Sequence, residues 1–173
     1  GTIHIKTALN DKDLIAFANR VGTVPTPPYV KEAPTDDASY QTTFAKEEGS
    51  AAAPTAGFHF TPELLEELKA AGVIVTYVTL HVGMGTFAQI FADNLDEHPM
   101  HAEWAHLPQE TVNAIQMAKQ SGSRIIVVGT TATRTLEGVV QQTGTLQAFE
   151  GDISLYIQPG FDFQVIVGRI TNF

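Results

Sequence analysis

The sequence contains no cysteine, and this absence excludes several kinds of chemistry. Disulfide bonds, thiolate nucleophiles and cysteine-ligated zinc sites all require a thiol. A metal ion would have to be held by histidine and carboxylate side chains. The absence also fits a reducing compartment, so we expect a cytoplasmic protein.

Basic residues are few and scattered along the chain. Ten Lys and Arg stand against 19 Asp and Glu, which gives a formal net charge of −9 over 173 residues. Affinity for a phosphate backbone comes from Lys and Arg, so this balance argues against broad nucleic-acid binding. Any contact with nucleic acid would have to be local.

Long hydrophobic runs are also missing. No apolar stretch approaches the roughly 20 residues that cross a bilayer, and the N-terminus lacks the apolar segment of a signal peptide. The hydrophobic fraction of 43% and the charged fraction of 17% are typical of a globular domain. We expect a soluble protein with no membrane partner.

What the chain does contain is an alternation of helix and strand signals. Caps and apolar stripes predict helices, and short runs of β-branched residues predict strands. This succession favours a three-layer α/β domain with a largely parallel sheet. The predicted helices are Asn10–Gly22, Thr35–Lys46, Thr61–Gly72, Pro108–Gly122 and a helix opening at Gly129; the predicted strands are Thr2–Lys6, Val73–Thr79, His101–His106, Arg124–Val128, Asp152–Ile157 and Phe163–Val167.

The apolar run Val73–Thr79 is interpreted as the central strand, buried on both faces. It leads into the glycine-rich segment His81–Phe87, in which Gly83 and Gly85 stand two residues apart. Glycines just past a buried strand can bring backbone N–H groups to a ligand. The alternative is a simple tight turn.

A second candidate site is Gly129-Thr130-Thr131, between a predicted strand and a predicted helix, with Arg134 one turn further on. Hydroxyls and free N–H groups at a helix N-terminus bind anions, and the arginine could close the site over a carboxylate or a phosphate. The alternative is that Thr130 or Thr131 only caps the helix.

Histidines supply the remaining candidates. His98, His101 and Glu103 lie within six residues and could bind a metal, or His101 and Glu103 could act as an acid/base pair on one strand face. His81 lies just after the predicted central strand, at the start of the glycine-rich segment, and this position favours a role in a functional site. His59 lies between two phenylalanines, a setting that more often buries a histidine than makes it catalytic.

Five segments, taken in order, resemble the S-adenosylmethionine:tRNA ribosyltransferase-isomerase family of queuosine synthesis. The connector Thr23–Tyr29, TVPTPPY, fits the same family. The five segments are APTAGFHF at 53–60, TLHVGMGTF at 79–87, EHPMHAE at 97–103, VGTTATRTLE at 128–137, and QPGF at 158–161 with ITNF at 170–173.

This resemblance implies an enzyme that uses S-adenosylmethionine as a ribosyl donor, without a metal. The acceptor would be 7-aminomethyl-7-deazaguanine in the wobble position of a tRNA, giving epoxyqueuosine with release of adenine and methionine. A monomer is expected. From the chemistry of the residues in the matching segments we expect His101 with Glu103 as the acid/base pair, with His59 and His81 as further acid/base residues. By the same reasoning the expected cofactor-binding residues are Thr55, Gly57, Gly83, Gly85, Thr86, Thr130, Thr131 and Arg134.

Members of the resembling family are longer than this chain, so we expect only part of the family's architecture. The resemblance implies the end of an inserted β-barrel and a following helix at 1–22, a Pro-rich connector at 23–30, and the α/β catalytic domain at 31–173. Two other functions remain open from the residues. One is a non-catalytic nucleotide- or RNA-binding module, and the other is a metal-dependent hydrolase built on His98 and His101.

Overall fold

A computed structural model of the chain describes residues 6–26, 30, 40–83 and 102–172. The chain divides into two compact units, Gly1–Tyr40 and Gln41–Phe173. The predicted strand at Thr2–Lys6 lies almost entirely outside the described residues, so the β-barrel remnant stays a prediction. No helix in the described ranges is long and apolar enough to cross a membrane.

The first unit contains helix α1, Asp11–Val21, close to the predicted bounds. Asn10 caps it, because its side-chain oxygen accepts a hydrogen bond from the backbone N–H of Asp13 at 2.9 Å. No residue of α1 is buried. Its apolar side chains are exposed, among them Phe17 at 45% and Val21 at 58%. The cap therefore defines this helix locally, without burial of its apolar stripe.

Residues 41–83 and 102–172 of the second unit contain a 3-10 helix, Thr55–His59, and three α-helices, and the three α-helices are confirmed predictions. Thr61 caps α2 by accepting a hydrogen bond from the backbone N–H of Leu64 at 3.2 Å. The predicted helix at Thr35–Lys46 is not confirmed, since 41–46 contain a bend and a turn but no helix, and 35–39 lie outside the described residues. The helices are α2 Pro62–Ala70, α3 Gln109–Gln120 and α4 Gly129–Thr143.

The described strands form two small sheets beside these helices, so the α/β class holds. The larger sheet is antiparallel, in the order β1-β2-β4, and the smaller is the parallel pair β3-β5. A largely parallel sheet is therefore not confirmed among the described strands. Near the C-terminus the strands lie at other positions than predicted. The strands are β1 Thr79–Leu80, β2 Glu103–Leu107, β3 Ile126–Val128, β4 Phe149–Ile153 and β5 Gly168–Ile170.

The predicted central strand is wrong over most of its length. Of Val73–Thr79, only the last residue belongs to a strand. Val73 is 47% exposed and Ile74 is 66% exposed, so the run is not buried on both faces. β-branched residues favour strands only where a neighbouring strand completes the ladder. None of the described strands pairs with residues 73–78.

Helix α4 forms the centre of the second unit. It packs on one face of the three-stranded sheet, which we call the inner face. Gly138 permits the close approach, because a methyl group there would lie 3.2 Å from Ile153 Cδ1. Full burial of one such aliphatic side chain stabilises the fold by about 1.5–3 kcal/mol. The buried core comprises Leu80, Val82, Ala105, Leu107, Val112, Ile115, Val127, Leu136, Val139, Val140, Ile153 and Val165.

Candidate anion-binding cleft at the start of helix α4

A cleft of about 200 Å³ opens at the N-terminal end of α4. It lies wholly within the second unit. The first wall is the segment 52–56, whose side chains are small and mostly apolar. The second wall is the first turn of α4, and the third is Thr171 and Asn172, which follow β5. The lining residues are Ala52, Ala53, Pro54, Thr55, Ala56, Leu80, Val82, Gly129, Thr130, Thr131, Arg134, Thr171 and Asn172.

The first turn of α4 is open towards this cleft. Its N-cap residue is Val128, no side chain caps the turn, and no acidic residue lies in it. Neither Thr130 nor Thr131 is therefore the cap that the alternative interpretation required. Gly129 has φ +84°, a left-handed conformation that favours glycine. Uncapped N–H groups and the positive end of the helix dipole favour an anion here.

Arg134 extends from the second turn of α4 and is held on two sides. Its guanidinium forms an ion pair with the carboxylate of Glu103, and its Nε donates to the carbonyl oxygen of Leu155 at 3.3 Å. The Arg134 side chain is 17% exposed and the Glu103 side chain 7%. Glu103 also accepts a hydrogen bond from the backbone N–H of Gly83 at 3.3 Å. The carboxylate therefore fixes the guanidinium at the edge of the cleft.

One donor of the guanidinium is unused. Arg134 Nη2 is buried and has no hydrogen-bond partner among the described residues. A buried charged donor without a partner is costly, so a ligand acceptor at this atom would be strongly favoured. Arg134 is the charged residue in the described lining, which contains no carboxylate. The cleft can therefore bind an anionic group at the start of α4.

The opposite wall is placed by backbone pairing with the end of β1. The N–H of Ala51 donates to the carbonyl of Val82 at 2.8 Å, and the N–H of Val82 donates to Ser50 Oγ at 3.1 Å. These bonds hold the segment 52–56 beside Leu80 and Val82. Because its side chains are small, a ligand can approach the backbone closely.

The structure brings four of the predicted cofactor-binding residues together, namely Thr55, Thr130, Thr131 and Arg134. Gly57 and Gly83 lie outside the lining. A methyl group at Gly57 would lie 2.7 Å from Thr42 Cγ2, so this glycine serves packing. The N–H of Gly83 donates to Glu103, whose carboxylate pairs with Arg134 of the lining.

Two of the predicted catalytic histidines lie away from the cleft. His59 ends the 3-10 helix and is exposed, contrary to the burial that its aromatic neighbours suggested. His81 follows Leu80 and stacks on Trp104, with ring centroids 4.7 Å apart. Side chains alternate along a strand, so His81 and Trp104 lie on the opposite sheet face from Leu80 and Glu103.

His81 is enclosed on that outer face. A methyl group at Gly49 would lie 2.7 Å from His81 Cε1. Its Nε2 is buried and has no partner within the part of the chain that the structure describes. The next imidazole along, His106, lies 6.2 Å from Trp104 between ring centroids. The outer face thus carries a separate imidazole and indole cluster.

Four predicted site residues, Gly85, Thr86, His98 and His101, lie outside the described residues. The interpretation of His101 with Glu103 as an acid/base pair therefore stays a prediction. Among residues 6–26, 30, 40–83 and 102–172, no group of three or more His, Asp or Glu is placed to hold a metal ion. The hydrolase alternative depends on His98 and His101 and is not tested by that finding.

Comparison with known proteins identifies the family. A family model described as "Queuosine biosynthesis protein" matches residues 2–173. The chain belongs to the queuosine biosynthesis protein family. The family resemblance that the five sequence segments suggested is thereby confirmed.

A curated relative of this family is the S-adenosylmethionine:tRNA ribosyltransferase-isomerase of Staphylococcus saprophyticus. It is 50% identical over 155 residues, which make up 90% of this chain and 46% of that protein. The chain therefore spans about half the length of the curated relative it matches. The crystal structure of S-adenosylmethionine tRNA ribosyltransferase from Thermotoga maritima is 37% identical, with a TM-score of 0.49, over 64% of this chain and 33% of that one.

Within this member of the queuosine biosynthesis family, sequence reasoning missed part of the cleft. Thr171 and Asn172 line it, and so do Ala52, Ala53 and Pro54. Thr171 and Asn172 fall in the ITNF segment that carried the resemblance, which was a usable signal. Ala53 and Pro54 fall in the first of the five segments, APTAGFHF, and so carried the same signal.

Proposed function

We propose that the whole protein, of which this chain forms part, is an S-adenosylmethionine:tRNA ribosyltransferase-isomerase. It transfers and isomerises the ribosyl moiety of S-adenosylmethionine onto 7-aminomethyl-7-deazaguanine at the tRNA wobble position. The products are epoxyqueuosine-tRNA, adenine and methionine. Family membership and the chemistry of the cleft support this proposal.

The observation that carries the proposal is the unpartnered Nη2 of Arg134 beside the uncapped start of α4. In the proposal, these donors bind the methionyl carboxylate of S-adenosylmethionine. Thr130 and Thr131 add hydroxyls at the same turn, and Thr55 faces them from the other wall. A tRNA phosphate is the other anion that this set could bind.

The size of the cleft limits what it holds. Its volume of about 200 Å³ is below the roughly 300 Å³ at the lower end of small-molecule pockets. The described walls therefore suit part of the donor, and the carboxylate end is the part that their charge selects. Gly85 and Thr86 are proposed to complete the site, as the family resemblance implies.

The geometry favours a positioning role for Glu103. Its carboxylate is engaged by the Arg134 guanidinium and by the N–H of Gly83. We therefore assign Glu103 to holding Arg134 in place, and we leave proton transfer to His101. The reaction needs a base that removes a proton beside the sulfonium and an acid that assists the departure of adenine.

The acceptor and the setting follow from the same proposal. The tRNA substrate would meet a chain whose net charge is −9, so its contact with this part of the protein is local. We propose a cytoplasmic monomer that takes both substrates without a metal ion.

The test uses the complete protein with S-adenosylmethionine and tRNA that carries 7-aminomethyl-7-deazaguanine. Free adenine is measured by chromatography, and the mass of the modified nucleoside is measured after digestion of the tRNA. Adenine should appear together with the mass of epoxyqueuosine. The matched control is the same tRNA with guanine at the wobble position, which should release no adenine.

Two results would contradict the proposal. Adenine release that does not depend on tRNA would indicate a different use of S-adenosylmethionine. No release from the complete protein with the correct tRNA would favour the binding-module alternative. The variant His101→Ala separates these functions further, because a binding module would tolerate it and the proposed enzyme would lose turnover.

A further inference from the structure

We infer that Glu137 is a positioning residue that fixes the Thr171–Asn172 wall of the cleft. This inference rests on the proposed function only in taking S-adenosylmethionine as the ligand. Glu137 lies on α4, three residues after Arg134, but does not line the cleft. It therefore acts on the site through the segment that it binds.

Glu137 is 2% exposed and accepts three backbone hydrogen bonds. Its Oε2 accepts from the N–H of Gln164 at 2.9 Å, and its Oε1 accepts from the N–H of Val165 at 3.0 Å and of Ile166 at 3.1 Å. None of the ion pairs in the described part of the chain involves this carboxylate. A buried carboxylate needs compensation, and here the backbone of 164–166 supplies it.

The bound segment leads directly into the cleft. The N–H of Val167 donates to the carbonyl of Ile125 at 3.0 Å, which begins the pairing of β5 with β3. Val128 then pairs with Ile170, and the next two residues, Thr171 and Asn172, line the cleft. The carboxylate thus holds the chain at the point from which the register of β5 is set.

Strand β5 needs this support because it is short and exposed. It has three residues and one described neighbour, and Ile170 is 50% exposed. Register is weakly specified in a strand that buries little. A slip by one residue would exchange the side chains that face the cleft. Helix α4 therefore carries Arg134 directly and, through Glu137, places the Thr171–Asn172 wall of the same cleft.

The experiment compares Glu137→Gln and Glu137→Ala in the complete protein, with equilibrium binding of S-adenosylmethionine as the readout. The alanine variant loses all three acceptors, and we expect its Kd to rise at least tenfold. In the glutamine variant one oxygen can still accept, so a smaller rise is expected. KM for S-adenosylmethionine should follow Kd while kcat changes less.

Two matched controls separate positioning from loss of stability. Val112→Ala removes core volume on α3 and should lower the melting temperature without changing Kd. Glu110→Gln makes the same chemical change at an exposed site on α3 and should change neither. If the Glu137 variants lower the melting temperature and leave Kd unchanged, as Val112→Ala does, the inference is wrong.

A double-mutant cycle tests the path of the effect. If Glu137 acts through Asn172, then Glu137→Gln combined with Asn172→Ala should weaken binding less than the sum of the two single changes. Additive effects would overturn the inference.

Hydrogen exchange in the ligand-free protein tests the same link without S-adenosylmethionine. Glu137→Gln should increase exchange across 164–172 and leave α3 unchanged, and unchanged protection at 168–172 would overturn the inference. If the wild-type protein binds no S-adenosylmethionine, but Glu137→Gln still increases exchange across 164–172, the proposed function is contradicted and the role of Glu137 is supported.

Discussion

The two faces of the three-stranded sheet carry polar groups of different kinds. On the inner face, Glu103 pairs with Arg134 of α4, beside a cleft with an uncapped helix N-terminus. On the outer face, His81 stacks on Trp104, with His106 next to them. The inner face presents an uncapped helix start and an unpartnered guanidinium N–H group, whereas the outer face holds its imidazole by aromatic contact.

The difference teaches that neighbours in sequence can serve separate surfaces. His81 lies between Leu80 and Val82, which both line the cleft, but its own side chain points the other way. Alternation along an extended chain separates them. Residues that are adjacent in one sequence motif, such as Leu80 and His81, therefore need not belong to one site.

The largest expected effect comes from Arg134→Ala on the inner face. It leaves the Glu103 carboxylate buried without its partner, which should cost about 3 kcal/mol of unfolding free energy. Binding of S-adenosylmethionine should weaken about 100-fold, since a buried charged donor is lost. Denaturant unfolding and equilibrium binding measure the two losses.

A paired variant separates these two losses. Arg134→Met combined with Glu103→Gln removes both charges, so much of the stability should return while ligand binding stays weak. Recovery of binding in the paired variant would show that the guanidinium does not contact the ligand.

A smaller effect on the inner face is expected from Gly129→Ala. The φ of +84° makes a side chain costly by about 1–2 kcal/mol, although a methyl group would meet only Ala56 Cβ at 3.8 Å. The strain should shift the first turn of α4 and weaken binding. Gly122→Ala, at φ +69° after α3, is the matched control. Gly122→Ala should lower the unfolding free energy by a similar amount and leave Kd unchanged. If it changed Kd as much as Gly129→Ala does, backbone strain at either position would explain the loss of binding, and the position of Gly129 beside the cleft would not matter.

On the outer face, His81→Ala should remove the contact with Trp104 and lower the unfolding free energy by about 1 kcal/mol. Kd for S-adenosylmethionine should stay within a factor of two, because His81 points away from the cleft. Calorimetric unfolding and binding test this pair of outcomes, with His59→Ala as an exposed control. A large loss of binding would show that His81, on the outer face, contributes to the same site as the inner-face residues.

The smallest effect is expected away from both faces, at Glu63 in the first turn of α2. Its pKa is lowered from the ordinary 4.5 because the carboxylate accepts hydrogen bonds from its own backbone N–H and from Thr61. A lowered pKa stabilises the folded state above the unfolded value and loses that effect as pH falls through the folded value.

Glu63→Gln should therefore lower the urea midpoint slightly at pH 7, and the difference should shrink as the pH falls below 4.5 and through the lowered pKa of Glu63. A difference that grows as the pH falls would contradict the assigned cause.

The helices were predictable because their signals are local. Asn10 and Thr61 cap the helices that follow them, as their side-chain chemistry indicates. The run Val73–Thr79 misled because its β-branched composition describes a preference, and a strand forms only with a partner. Likewise, the sheet's antiparallel pairing depends on residues far apart in sequence, such as Glu103 with Ile153.

For the candidate site, the sequence correctly indicated an open helix start at Gly129 with Arg134 one turn on, because both features lie in one short segment. It could not show that Glu103 fixes this arginine, since the two residues are 31 positions apart. It also named His59 and His81 as acid/base residues, and both lie away from the cleft.

The sequence by itself determined the family and the helices α1 and α2 with their caps. These follow from local conformational preferences and from ordered motifs. Only the tertiary structure decided which side chains meet: Arg134 with Glu103, Glu137 with the backbone of 164–166, and His81 with Trp104. Such pairings depend on strand register and on the packing of α4, and both are set by contacts between distant parts of the chain.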